Sequence, residues 1–99
     1  MKSTAAPIHP GKFLKELMDE YALTQYALAK AIAVQPIRIG QIVRGQRGLS
    51  PDTALRLARF FGTDAQSWLN WQMQFDLATA EREIGRDISK LIRPLEIAA

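Results

Sequence analysis

No cysteine occurs in the 99 residues. That absence excludes disulfides, thiolate metal sites and a cysteine nucleophile, and it suits a reducing compartment. Histidine is nearly as scarce. His9 is the only one, and it lies in a proline-flanked turn without partner ligands, so it reads as a helix-entry residue rather than a metal ligand. There is no paired-carboxylate motif and no glycine-rich phosphate loop, so nothing calls for catalysis, a metal or a cofactor, and the chain is expected not to be an enzyme. No apolar run approaches the length of a membrane span, and the opening MKSTAAP lacks the apolar centre of a signal peptide. The expectation is a cytoplasmic protein with no membrane contact. No strand pattern occurs either.

What is present suffices for a single domain over residues 1–99 with one modest core, of which residues 1–8 are a flexible N-terminus. The net charge is only +3, but it is unevenly spread. Between Gln35 and Arg59 there are five arginines, Arg38, Arg44, Arg47, Arg56 and Arg59, against the single Asp52, so this stretch carries 5 − 1 = +4. Clustered arginine of this kind is the electrostatic footprint of a phosphate-backbone binder. Arg56 and Arg59 also fit an ordinary solvated helix face.

The most informative segment is TQYALAKAIAVQPIRIGQIVRG, residues 24–45. Leu28, Ala29 and Ile32 share one face of a short helix, and Ile39, Ile42 and Val43 repeat the spacing in a second. Thr24 is a good N-cap for the first, and Pro36 at N1 pre-sets φ for the second. Ala33 and Val34 leave room only for a tight turn, and the small Ala29 allows the close, steep crossing of a helix-turn-helix. Gln35, Ile37, Arg38, Gln41 and Arg44 then face outward, a set of amides and guanidinium groups suited to base edges and phosphates.

Around this pair, a first helix is expected from about Lys12 to Tyr21, with Phe13, Leu14, Leu17 and Met18 as its apolar stripe. Tyr21 and Tyr26 read as helix-edge packing. Ser50, Pro51 and Asp52 start a fourth helix that Gly62 ends, and Asp64 caps a fifth running from Ala65 to about Leu91, with a possible break at Gly85. In that last helix Trp68, Trp71, Phe75 and Ala78 make one apolar face, and Leu69, Met73, Leu77, Ala80, Ile84, Ile88 and Leu91 another. A terminal helix with two apolar faces calls for a partner, most simply a second copy, so Trp68, Trp71, Phe75, Ile84 and Ile88 are candidate dimer-interface residues in a C-terminal helical region over 65–92. The alternative is a hairpin folding back at Gly85.

The runs IHPGKFLKELM, LTQYALAKAIAVQPIRIGQIVRGQRGLSPDTALRLARFFGT and SWLNWQ, spanning about Ile8 to Leu77, resemble the HigA-type antitoxins of bacterial toxin–antitoxin modules. These sit within the phage-repressor-like (XRE) helix-turn-helix family. The resemblance implies an all-α, five-helix, lambda-repressor-like domain with a C-terminal dimerisation extension. It further implies a homodimer on double-stranded operator DNA, repression of its own operon, and neutralisation of a cognate mRNA-cleaving toxin encoded by the adjacent gene. Carried over by position, Gln25 matches a phosphate-contacting glutamine, Gln35, Ile37, Arg38 and Gln41 match base-facing positions, and Arg44 and Arg47 match backbone clamps. Two positions depart from the family pattern: Ala33 stands where the turn often holds glycine, and Gly40 lies inside the recognition helix.

Two other function classes share some of these features. A solitary repressor without a toxin uses the same DNA face, whereas a module that binds only protein lacks salt-dependent DNA affinity.

Overall fold

A computed structural model describes residues 6–96, which form five α-helices and no strand. These are α1 Pro10–Glu20, α2 Gln25–Ile32, α3 Pro36–Val43, α4 Pro51–Phe61 and α5 Ala65–Leu91. Residues 1–5 of the N-terminal segment expected to be flexible lie outside the described residues, and residues 6–8 precede α1 without regular structure.

Local chemistry sets the helix starts. Prolines occupy the first turn of α1, α3 and α4, where a missing N–H costs nothing. Thr24, Ser50 and Asp64 accept the N–H groups of Ala27, Thr53 and Ser67 at 3.0, 3.3 and 3.2 Å. His9 does the same for α1, its Nδ1 accepting from the Gly11 N–H at 2.9 Å. α1 therefore begins at Pro10, two residues before the Lys12 that apolar periodicity suggests, because periodicity marks the buried stripe and not the cap.

One core joins all five helices. Leu14 and Met18 of α1, Leu28, Ala29 and Ile32 of α2, Ile39 and Ile42 of α3, Ala54 and Leu57 of α4, and Trp68 of α5 are buried together. Each large side chain among them contributes about 1.5–3 kcal/mol of burial. α3 is seated by a close approach. A Cβ on Gly11 would stand 1.9 Å from the Ile42 carbonyl oxygen, so only glycine lets the start of α1 rest against α3.

α5 passes through Gly85 without a break and ends at Leu91, which removes the hairpin alternative. A mid-helix glycine costs about 1 kcal/mol relative to alanine, a penalty a long helix absorbs. At 27 residues α5 is roughly 40 Å long, and it gives the chain its 57 × 25 × 23 Å extents. Its two apolar faces have different fates. Trp68 is 1% exposed and lies in the chain's own core, so it is not available to a dimer partner. Trp71 stacks on Phe13 with ring centroids 4.7 Å apart, and Phe75 meets the His9 ring at 4.9 Å, so both are half-buried within the chain. The other face stays open, with Met73, Leu77, Ile84, Ile88 and Leu91 all exposed.

Candidate nucleic-acid interface

The turn between α2 and α3 is built on Ala33, which takes the left-handed conformation at φ 59°, ψ 48°. For a residue with a Cβ this costs about 1–2 kcal/mol. Arg56 of α4 supports the strained turn: its Nη1 donates to the carbonyls of Ile32 and Ala33 at 2.9 and 3.2 Å, satisfying acceptors that a helix end leaves open. Arg56 is thus a fastener of the motif. Its Nε also bonds the Asp52 carboxylate at 2.6 Å, and that bond is the main reason the Asp52 pKa lies below the ordinary carboxylate value.

Ile39, Gly40 and Ile42 turn α3 inward, and the opposite side is presented outward. Ile37 is 61% exposed, and Gln35, the N-cap, and Arg44, the C-cap, are exposed at either end. Gln41 lies on the same side at 100° per residue but is half-buried, and its Oε1 is buried without a hydrogen-bond partner among the described residues. Gln25, the first residue of α2, reaches across to α3, where its Nε2 donates to the Pro36 carbonyl at 2.9 Å. A Cβ on Gly40 would lie 2.7 Å from Gln25 Nε2 and 3.0 Å from Arg44 Nη1, so the Gln25 amide and the Arg44 guanidinium converge over this glycine. The departure at Gly40 therefore has a structural use that sequence reasoning missed.

Arg38 is placed differently from the other candidates. Its Nη1 contacts the Asp52 carboxylate at 3.3 Å and Thr53 Oγ1 at 3.5 Å, drawing the side chain toward the start of α4. Arg47 is exposed in the loop between α3 and α4. One hydrogen bond ties that loop to α5: Gln72 Oε1 accepts from the Leu49 N–H at 2.8 Å. Tyr26, beside Gln25, is 67% exposed, so it is not the packing residue the sequence suggested. No local pattern predicts either the Asp52 lock on Arg38 or the Gln72 tie, because the paired residues are 14 and 23 positions apart.

α2 and the outward-facing α3, set across a tight turn, form a helix-turn-helix. The family model described as helix-turn-helix matches residues 14–68. The chain belongs to the helix-turn-helix family. This helix-turn-helix protein is 53% identical over 83 residues to virulence-associated protein I of Dichelobacter nodosus, covering 83% of this chain and 77% of that one. The solved Pseudomonas aeruginosa antitoxin HigA with higBA promoter is 45% identical, with a TM-score of 0.89 over 91% of this chain and 99% of that chain. The antitoxin GraA in complex with its operator is 38% identical, with a TM-score of 0.88 over 98% and 99%. The five-helix, lambda-repressor-like architecture is thereby shared with HigA-type antitoxins, and among the described residues no helix is long and apolar enough to cross a membrane.

Proposed function

We propose that this chain is a non-enzymatic antitoxin that binds its own operator as a homodimer, represses its operon and holds a cognate mRNA-cleaving toxin from the adjacent gene inactive in the cytoplasm. The observation that carries this reading is the near-complete structural match to an antitoxin solved on its promoter. The site supports it. Ile37 and Arg44 are exposed on the outer side of α3, Gln41 lies half-buried on the same side and Gln25 reaches over from α2, so that an apolar contact, two amides and a guanidinium are gathered there. The buried, unpaired Gln41 Oε1 costs about 1–3 kcal/mol, and turning that amide toward a base edge recovers part of it. The open stripe on α5 supports a homodimer, since a row of exposed apolar residues on one helix face is what association covers.

Fluorescence anisotropy against the chain's own upstream DNA, across several salt concentrations and with and without the neighbouring gene product, tests the proposal. Specific, salt-dependent binding is expected, with Gln41→Ala losing about 1–3 kcal/mol on the operator and Arg44→Ala lowering the salt slope by about one. Equal affinity for operator and random DNA overturns the repressor half. Operator binding that the neighbouring gene product leaves unchanged, with no complex formed between the two proteins, leaves a solitary repressor.

A further inference from the structure

A second concave site lies away from the recognition helix and shares no residue with it. A pocket of about 300 Å³ opens between α1 and the start of α5, at the small end of the size range of ligand sites. Its apolar wall is aromatic. Trp68 lines the pocket from the core side, 1% exposed, with its Nε1 donating to Thr63 Oγ1 at 2.8 Å. Trp71 stands edge to face on Trp68 at 5.1 Å and tilts against Phe13 at 4.7 Å.

The charged residues lining the pocket are Glu16, Glu20 and Asp64, with no lysine or arginine among them. Glu16 and Glu20 are exposed and make no ion pair among the described residues, and both cap bonds of Asp64 fall on Oδ2. Carboxylates around aromatic faces are the complement of a cationic side chain: the rings attract a guanidinium or ammonium through their quadrupoles, and the carboxylates attract it by charge. The pocket contrasts with the arginine-rich stretch from Gln35 to Arg59, so the chain carries an acidic, aromatic site as well as a basic one.

We propose that this pocket is where the chain docks a basic protein partner, receiving one arginine or lysine side chain between Trp71 and the three carboxylates. Resting on the antitoxin reading, the partner is the toxin: a protein that cleaves mRNA must itself bind a polyanion and so presents cationic side chains. Docking at α1 and α5 leaves Gln25, Ile37, Gln41 and Arg44 uncovered, so one chain holds DNA and toxin through separate surfaces.

The test compares the full-length wild type with the double variant Glu16→Lys/Glu20→Lys and with Glu83→Lys/Glu96→Lys, which makes the same change in net charge elsewhere. Binding to the purified neighbouring gene product and to operator DNA is measured for each, after circular dichroism shows equal helix content. The pocket variant is expected to bind the neighbouring product at least about tenfold more weakly than the control variant while matching it on DNA. The chain's only tryptophans, Trp68 and Trp71, both line the pocket. A tryptophan-free tetra-arginine peptide should therefore shift the emission of the wild type and not of the pocket variant, and its citrulline twin should shift neither. If the wild type binds the neighbouring product and both variants bind it equally well, the docking site is overturned while the antitoxin reading stands. If the wild type does not bind that product, both fall.

Discussion

The Gln25 amide is held over Gly40: its Nε2 donates to the Pro36 carbonyl at 2.9 Å and occupies the space that a Cβ at position 40 would fill. α2 thereby hands a side chain to α3, and the glycine is the gap that receives it. Gly40→Ala separates stability from recognition. Alanine is favoured over glycine in a helix by about 1 kcal/mol, and the atoms it displaces are ends of flexible side chains. Thermal unfolding should show unchanged or slightly raised stability, while operator affinity measured by anisotropy falls because Gln25 and Arg44 lose their seats. Unchanged affinity would mean that neither placement matters to DNA.

Arg56 belongs to the scaffold of the motif, and its removal should be felt in folding before binding. Arg56→Ala leaves the Ile32 and Ala33 carbonyls and the Asp52 carboxylate without their guanidinium. Charged hydrogen bonds of this kind are worth about 1.5–3 kcal/mol each when well shielded, and partial exposure here reduces the total to about 1–3 kcal/mol. Ala33→Gly acts in the other direction, relieving the left-handed strain at the expense of a looser unfolded chain, for a net gain below about 1 kcal/mol. Urea midpoints read both changes, and a lower midpoint for Ala33→Gly would contradict the strain assignment.

His9 makes stability depend on pH in a definite direction. Burial lowers its pKa from the ordinary imidazole value, and that effect exceeds the opposing pull of Asp76 and of the Arg47 backbone. The folded state therefore binds fewer protons than the unfolded chain. Its full contribution is present above the unfolded value, about 6.5, and declines as pH falls from there toward the folded pKa. Protonation also removes the Nδ1 lone pair that caps α1. Melting temperature should drop between pH 7.5 and 5.5 in the wild type and drop less in His9→Asn, which keeps a capping acceptor but does not titrate. Parallel curves for the two proteins would exclude His9 as the cause. Asp52, whose pKa is also lowered, loses its contribution in a separate and more acidic window.

Much of this architecture was legible because it is local. Thr24, Ser50 and Asp64 announce helix starts through their own side chains, and α5 spans the expected Ala65 to Leu91 because its cap, Asp64, and the helix-ending Pro94 both lie next to it in sequence. The candidate site was legible to the same depth: periodicity correctly put Ile37 and Arg44 outside. It could not show that Asp52 draws Arg38 aside, or that Gln25 reaches Pro36, since those contacts depend on how helices cross. The same limit explains Trp68. A helical wheel shows which residues share a face, but not which neighbour covers that face.

The open stripe of α5 gives the clearest test of assembly. Ile84 and Ile88 are 49% and 44% exposed in the single chain, unlike Trp68 on the opposite face. Substituting an exposed side chain usually changes monomer stability by no more than about 0.5 kcal/mol, so Ile84→Glu/Ile88→Glu should leave the fold of residues 10–62 intact by circular dichroism. In a dimer the same change places charges in an apolar interface, where burying an unpaired carboxylate costs several kcal/mol. Light scattering should therefore report a dimer for the wild type and a monomer for the variant. Loss of the dimer should weaken operator binding steeply, because two recognition helices spaced for half-sites roughly 34 Å apart engage one operator together. A wild type that is monomeric at tens of micromolar, or a variant that stays dimeric, would require α5's exposed face to serve some other contact.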